Sequence, residues 1–250
     1  MKDLLQQLNQ LPPYRAEFVP QTHSTNAVVK EWGKQGAPEG RVLITRCQTH
    51  GRGRLGRSFY SPESGLYFSI LLRPSLAPQD CLRLTTAAAV AVAESIGEDA
   101  QIKWVNDVYR QGRKVCGILT ESALQGDRLD YAVVGIGLNL CAPLDGFPEE
   151  IQDIAGGIFP APPTKEQTAR LMTHILTRFA HYTQDLFSPH LTDTYRQRNL
   201  LQGEWVTAGN LTGKVTDIDD HFGLLLQTKD GQIHRLTAGE VTIGSKRFDL

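Results

Sequence analysis

Cysteine is scarce in this sequence, with Cys47, Cys81, Cys116 and Cys141 the 4 examples in 250 residues. No two form a CxxC pair, and each sits in or beside an apolar stretch. That speaks against a disulfide framework or a zinc site, and a reducing compartment is the simplest setting. An excess of charge is missing as well. Lys+Arg number 26 and Asp+Glu 27, for a formal net charge of −1. No general attraction to nucleic acid or an anionic membrane follows, so any anion-binding surface must be local. No apolar run approaches the roughly 20 residues of a membrane span. The start, Met1-Lys2-Asp3-Leu4-Leu5-Gln6-Gln7, lacks the apolar core of a secretory signal. There is no internal repeat and no low-complexity tract. A soluble, cytoplasmic protein is expected. What is present suffices for a sizeable core, since 40% of residues are hydrophobic and 21% charged. The length admits one large domain, or a medium and a small one.

Periodicity and punctuation predict the elements. Residues 1–10 read as a short amphipathic helix stopped by Pro12-Pro13. Residues 14–20 read as a strand. Ser24-Thr25-Asn26 offers N-caps for a helix through Trp32 that ends at Gly33 or Gly36. Val42 to Arg46 and Leu66 to Arg73 are strands, the second only weakly alternating, with a long loop over 49–65 between them. Residues 79–96, rich in alanine and valine, form a buried helix ending at Gly97. Strands follow at 101–105, 113–122 and 129–140, separated by the turn signals Gln111-Gly112 and Gln125-Gly126-Asp127, which suggests antiparallel hairpins. Thr164 with Gln167 fits a capping box for a long helix over 165–187. After about residue 200 the pattern becomes short β-rich runs at 204–208, 212–219, 223–228, 232–236 and 240–243. Turns at Gly209-Asn210 and Asp230-Gly231 divide them. The expectation is an α+β fold with a small β-barrel appended to a larger domain, the boundary lying softly within 188–200.

Three segments carry chemistry. The first is Gln48-Thr49-His50-Gly51-Arg52-Gly53-Arg54-Leu55-Gly56-Arg57-Ser58. It matches GxGxxG and resembles a P-loop with Arg57 in place of lysine. Both of those mechanisms need a helix to start at the loop, and Phe59-Tyr60-Ser61-Pro62-Glu63-Ser64-Gly65 contains Pro62 and Gly65 instead. Three arginines separated by glycines remain to be explained. Arginine presents a planar fork suited to phosphate oxygens, and glycine lets the backbone approach and change shape. The alternative is a solvated, mobile loop. An anion-binding loop of this kind should be disordered without ligand and order around a polyphosphate.

The second segment is Ile102-Lys103-Trp104-Val105-Asn106-Asp107, with Lys114 on the next predicted strand, ahead of Val115-Cys116-Gly117-Ile118-Leu119. A hairpin would bring Lys114 near Asn106 and Asp107. Lysine suits an α-phosphate or a carboxylate, and Asp107 suits magnesium or the proton of an incoming amine. Gly117 would leave room for a ligand against the sheet. A turn-stabilising Asn-Asp pair with an ordinary salt bridge accounts for the same spacing. The third segment is Val133-Val134-Gly135-Ile136-Gly137-Leu138-Asn139-Leu140. Two glycines in an apolar strand point to close packing there, and Asn139 can orient a ligand or cap a turn.

In this order, Ser24-Thr25-Asn26, Gln48 with Gly51-Arg52-Gly53-Arg54 and Gly56-Arg57, Lys103-Trp104-Val105-Asn106-Asp107, Lys114 with Gly117-Ile118-Leu119, and Gly135-Ile136-Gly137-Leu138-Asn139, the chain resembles the biotin–protein ligases. The resemblance is strong over about 20–140 and looser towards the β-rich C-terminus. It implies a mixed-sheet biotin/lipoate ligase-like catalytic domain over 1–195 and a small SH3-like β-barrel over 196–250. It implies ATP and biotin as substrates, Mg2+ with the phosphates, biotinyl-5′-AMP as intermediate, and a lysine of a biotin carboxyl carrier protein as acceptor. Catalytic roles fall by resemblance on Lys114, Arg54 and Asp107, and Asp107 is the expected Mg2+ ligand. Biotin contacts fall on Ser24, Thr25, Asn26, Gln48, Arg52, Gly53, Arg54, Lys114 and Gly117. Adenylate contacts fall on Arg52, Arg54, Arg57, Phe59, Asn106, Asp107, Lys114 and Asn139, with residues 51–60 as the covering loop. The family usually has proline where Val105 stands and often tryptophan where Phe59 stands. Ser24 is too near Met1 for an N-terminal helix-turn-helix domain, so a ligase without nucleic-acid or membrane partners is expected, with homodimerisation through the sheet one arrangement open to it. The rival readings are a lipoate–protein ligase or octanoyltransferase of the same fold, which lack the arginine-rich loop, and a non-catalytic DNA-binding regulator, which predicts a basic recognition helix that is not visible here.

Overall fold

The computed structural model describes residues 2–244. Met1 of the predicted first helix and residues 245–250 of the predicted C-terminal module lie outside the described residues. The main body is a seven-stranded mixed sheet in the order β1-β2-β3-β7-β6-β5-β4. Its strands are β1 (Arg15–Thr22), β2 (Arg41–Gln48), β3 (Gly65–Leu72), β4 (Ala100–Lys103), β5 (Asp107–Arg110), β6 (Arg113–Gln125) and β7 (Arg128–Asn139). β1 and β2 are parallel, joined through α2 (Thr25–Lys34), and the other neighbours are antiparallel.

Alternation along the strands decides what covers each face. Leu43, Leu71, Tyr131 and Val133 form one cluster with Val29 of α2. Val42, Ile44, Ile70, Ala132 and Val134, one residue out of step, join the main core with α3 (Leu82–Ile96) and α4 (Lys165–Gln184). The sheet is thus buried on both faces, and that is why Leu66–Leu71 carries little alternation. The helix α3 is buried along Arg83–Ala93. Its alanines admit α4 closely on one side while the sheet takes the other. Thr164 caps α4 in the predicted reciprocal box with Gln167. The helix α1 (Lys2–Leu8) packs through Leu4 and Leu8 into the same core. Among the described residues no helix is long and apolar enough to cross a membrane.

Two elements appear that the sequence pattern does not predict. The predicted strand 101–105 stops at Lys103, and β5 is an additional strand between it and β6. The soft boundary at 188–200 holds a helix, α5 (Pro189–Gln197), capped by Ser188 with proline in its first turn. The expected division at 195/196 falls inside it. Of the two expected ends of α2, Gly36, at φ 76° just after the C-cap Gln35, is the one that holds, while Gly33 lies in the last turn against the Tyr131 ring, where any Cβ would stand at 2.7 Å.

The C-terminal module is a five-stranded antiparallel sheet, β8 (Trp205–Ala208), β9 (Leu211–Ile218), β10 (Leu224–Gln227), β11 (Ile233–Leu236) and β12 (Thr242–Ile243), in the order β11-β10-β9-β8-β12. Its turns fall where Gly209 and Gly231 supply positive φ. Val206, Val215, Ile218, Phe222, Leu224, Leu226 and Val241 are continuous with the core of the main body.

Candidate active site

The floor of the site follows from strand register. Directly opposed residues on antiparallel strands share a face. Tyr67 on β3 faces Gly137, Gly137 faces Gly117, Gly117 faces Asp107, and Asp107 faces Lys103. One row therefore runs across five strands, with an aromatic at one end, two charges at the other and two glycines between. The next row, Ser69, Gly135 and Leu119, adds a third glycine. With no side chains at these positions there is room beside the N-terminus of α2 for the Phe59 ring and the Asn26 amide to lie against the sheet, and a cleft opens there. It is lined by Ser24, Thr25, Asn26 and Gln48, by the arginine loop, by Lys103, Asn106, Asp107 and Lys114, and by Gly239, Glu240 and Val241 of the C-terminal module.

Lys114 reaches this face because of a bulge. Val108 pairs with Cys116 but Tyr109 pairs with Lys114, so Val115 is an extra residue on β6. Val115 and Cys116 are both fully buried, and the step turns Lys114 out onto the face of Asp107. Its Nζ lies 2.7 Å from Asp107 Oδ2. Its backbone is clamped by Lys114 N–H to Ile154 O (2.7 Å) and Gly156 N–H to Lys114 O (2.9 Å). Asn106 orients the other members. Its Nδ2 donates to Ile118 O (2.9 Å) and Asp107 Oδ1 (3.1 Å), and its Oδ1 accepts from Arg54 Nη1 (3.1 Å). The turn at residues 104–106 includes a cis Trp104–Val105 peptide. Burial pushes the Lys103 amine below the ordinary lysine value, and Lys114 and Arg57 add to this against the pull of Asp107 and Glu240. Four cations facing two carboxylates give this end of the cleft a positive balance suited to polyphosphate.

The other end is neutral and tightly bonded. Gln48 Oε1 accepts from Thr25 N–H (2.8 Å) and Thr25 Oγ1 (3.1 Å), and Gln48 Nε2 donates to Ser61 Oγ (3.0 Å). Ser69, fully buried, donates to Thr25 Oγ1 (2.7 Å) or Asn26 Oδ1 (2.6 Å). Asn26 Nδ2 donates to Leu119 O (3.2 Å) and Glu121 Oε2 (3.0 Å), and Lys30 holds Glu121 at 2.8 Å. Burial would raise the Glu121 carboxyl, but hydrogen bonds from Lys30 and Asn26 prevail and hold it below its usual value. Ser24 is the N-cap of α2. A network this closed fixes which lone pairs and protons face a ligand.

Within the expected loop over 49–65, the arginine segment folds back on itself as a small hairpin. Arg52 bridges Ser58, Gly53 N–H donates to Arg57 O (2.7 Å), and Phe59 N–H donates to Gly51 O (2.9 Å). Leu55 and Gly56, both at positive φ, form its tip. The Phe59 ring lies on the glycine floor: a Cβ at Gly117 or Gly137 would stand 2.7 or 2.6 Å from its carbons. Arg57 pairs bidentately with Glu240, one contact being 2.6 Å. Both partners are largely exposed, so the pair adds at most about 1 kcal/mol. Glu240→Ala should leave the melting temperature nearly unchanged and speed hydrogen exchange of the 51–60 amides. Unchanged exchange would show that the pair does not tether the loop.

Every site residue expected from the sequence lines this cleft except Asn139. Asn139 is buried, and its Nδ2 donates to Lys114 O at 3.3 Å. It lies at the end of β7 beyond the glycine row, so it supports the Lys114 backbone and does not line the cleft. Tyr67 and Glu240 line the cleft with no sequence signal of their own, and Lys103 and Trp104, quoted in the family motif, have no role assigned there by the resemblance. A register drawn across the sheet would have found Lys103 and Tyr67.

Comparisons with known proteins agree with this geometry. Residues 18–139 match the Biotin/lipoate A/B protein ligase family, and residues 206–244 match the Biotin protein ligase C terminal domain. A "Bifunctional ligase/repressor BirA" of Bacillus spizizenii is 34% identical over 88% of this chain and 71% of its own. A "Biotin--[acetyl-CoA-carboxylase] ligase" of Mycobacterium tuberculosis is 31% identical over 90% of this chain and 87% of its own. The solved structure of the biotin protein ligase from Aquifex aeolicus in complex with biotin and ATP superposes with a TM-score of 0.71 at 30% identity, covering 92% of this chain and 98% of that one. With residues 18–139 and 206–244 matched by the two family descriptions, and relatives at 31% and 34% identity matched over 87% and 71% of their own lengths, the chain belongs to the biotin protein ligase family.

Proposed function

We propose that this chain joins biotin to ATP as biotinyl-5′-AMP, releasing pyrophosphate, and passes the biotinyl group to a lysine of a biotin carboxyl carrier domain. The observation that carries the reading is the bulge that turns Lys114 onto the glycine row, between a neutral, hydrogen-bonded pocket and a cationic one. Biotin fits the neutral end, against Ser24, Thr25, Asn26, Gln48, Gly53 and Gly117, with Arg52 at the rim. Its carboxylate then points at Lys114 and Arg54. The phosphates fit the cationic end, with Arg57, Phe59, Asn106 and Asp107 around the nucleotide. The carboxylate attacks the α-phosphate, so two anions must be brought together. Lys114 and Arg54 lower that repulsion and stabilise the charge that builds on the phosphate oxygens. Asp107 is placed to accept a proton from the acceptor amine in the second step.

Mg2+ fits this donor set as a companion of ATP. Among the described residues no group of three or more His, Cys, Asp or Glu side chains could hold a metal, and Mg2+ commonly uses one or two carboxylates plus phosphates. Asp107 would hold it, where it would share the phosphate charge. Residues 1–195 act as the catalytic domain and 196–250 as its C-terminal partner, in the cytoplasm, as monomer or homodimer and without nucleic acid.

The test is incubation with ATP and either biotin or lipoate, followed by addition of a carboxyl carrier domain. Biotinyl-AMP and a biotinylated acceptor are expected. Lipoyl-AMP without biotinyl-AMP would replace biotin by lipoate. Amides of residues 51–60 should exchange more slowly with biotin plus ATP than without, as the loop closes over the adenylate and excludes water. Equal exchange in both states would remove the loop's covering role.

A further inference from the structure

Two residues outside the lining of the cleft grip the turn that carries Asn106 and Asp107. Trp104 Nε1 donates to Phe222 O at 2.8 Å, and the Tyr195 hydroxyl donates to Val105 O at 3.2 Å. The Tyr195 and Phe222 rings meet edge to face, with centroids 5.3 Å apart and planes at 76°, and both are fully buried. The two anchors are therefore one unit, built from α5 and the β9–β10 loop, that holds successive residues just ahead of the catalytic pair. Phe222 sits at φ 61°, a conformation bulky side chains avoid unless their surroundings impose it, and such residues gather at functional sites. Here the surroundings impose it. Asp219 Oδ1 accepts from His221 N–H and Gly223 N–H, each at 2.8 Å. Arg83 donates to Asp220 O at 2.8 Å and lies over the Phe222 ring at 5.5 Å.

We propose that Tyr195 and Phe222 are positioning residues for adenylate formation. They fix Trp104–Val105 and so aim Asn106 at Arg54 and Asp107 at Lys114, which makes the C-terminal module a working part of the first half-reaction. The proposal rests on the ligase reading above. Its force comes from the geometry of that end of the cleft, where the 2.7 Å contact of Lys114 with Asp107 and the 3.1 Å contact of Arg54 with Asn106 both depend on where the turn stands. A misplacement of about 1 Å there can cost on the order of a hundredfold in rate. Burial, with the negative Asp107 nearby, raises the Tyr195 hydroxyl, so it remains a proton donor at neutral pH. Most of the contacts proposed for biotin, at Ser24, Thr25, Asn26 and Gln48, lie on other elements, and only its carboxylate end reaches Lys114 and Arg54. The proposal thus separates binding from chemistry.

Tyr195→Phe deletes the hydroxyl and keeps the ring. Single-turnover formation of biotinyl-AMP should slow about tenfold, the equivalent of one lost hydrogen bond, while the Kd for biotin alone stays within about twofold. Phe222→Leu keeps the carbonyl but loses the ring contact. It should slow the same step and shift the indole 15N–1H resonance of Trp104, leaving those of Trp32 and Trp205 in place. Adenylation at the parental rate in both variants overturns the proposal. So does a loss of biotin affinity in proportion to the loss of rate, which marks a merely structural role. If Tyr195→Phe does not fold, Phe222→Leu carries the test with the same readouts. A parent protein that makes no biotinyl-AMP would overturn the ligase reading itself, whereas a parent that makes it alongside two unimpaired variants overturns the positioning role alone.

Discussion

Lys114→Ala should slow biotinyl-AMP formation by about a hundred- to a thousandfold in a protein that remains folded. The magnitude is that of removing one preorganised donor from a site where negative charge develops. Lys114 is suited to that size of effect because its position is over-determined. The bulge sets its direction, Ile154 and Gly156 fix its backbone, and Asp107 holds its amine at 2.7 Å. The stability cost should be small. Both side chains of the pair keep about a quarter of their surface exposed, at 26% and 22%, and Asp107 retains Asn106 Nδ2 as a partner. A loss near 1 kcal/mol is expected, or about 2–4 °C in melting temperature for a chain of this size. Quenched single-turnover assays with a melting curve check both halves. A variant that adenylates at the parental rate would take Lys114 out of the chemistry.

Gly135→Ala should be the most damaging methyl group in the biotin end of the cleft. The added Cβ would stand 2.0 Å from Asn26 Oδ1 and 2.8 Å from its Cγ. Asn26 has nowhere to go, because its amide is committed to Ser69, Leu119 and Glu121 and it is 5% exposed. The first turn of α2 must shift, and with it Ser24 and Thr25. Overpacking of this kind costs about 1–3 kcal/mol of stability, and biotin affinity should fall at least about tenfold, or about 1.4 kcal/mol. Calorimetric titration with biotin measures the second effect. Gly126→Ala is the control: it lies at φ 60° in an exposed turn with nothing within 4 Å, so it should lower stability and leave biotin affinity alone. Unchanged affinity in Gly135→Ala would show that Asn26 and its neighbours do not hold biotin.

How far the sequence alone reached depends on the kind of signal. Local signals were legible. The Thr164–Gln167 box, the Ser24 cap, the hairpin glycines and the apolar runs all act within a few residues, and the structure holds them where the sequence puts them. Short elements with weak patterns were not. β5 is four residues long and follows a three-residue turn, so it read as part of a loop. In α5, Leu191 and Tyr195 are the main buried apolar residues, too few to set a helical period. The site was legible as residue types and illegible as geometry. Lys114 and Asp107 could be placed near each other, but the extra residue that turns Lys114 outward is a matter of pairing and leaves no mark in Val115 itself. Asn139 went the other way. As a polar residue after two glycines it read as a ligand contact or a turn cap, and its Nδ2 donates to the Lys114 carbonyl instead of facing the cleft.

The glycine row has a consequence for the order in which the molecule comes into being. Gly117 and Gly137 face each other through a local hairpin, but Tyr67 reaches Gly137 only when β3 pairs with β7 across a long stretch of chain that includes the whole of α3. Such distant pairings form slowly, since the closure of the intervening loop must precede any gain from contact. During synthesis, then, the glycine floor does not exist until β7 has emerged and docked between β3 and β6. The arginine loop, which is made earlier, has nothing to fold down upon until that moment.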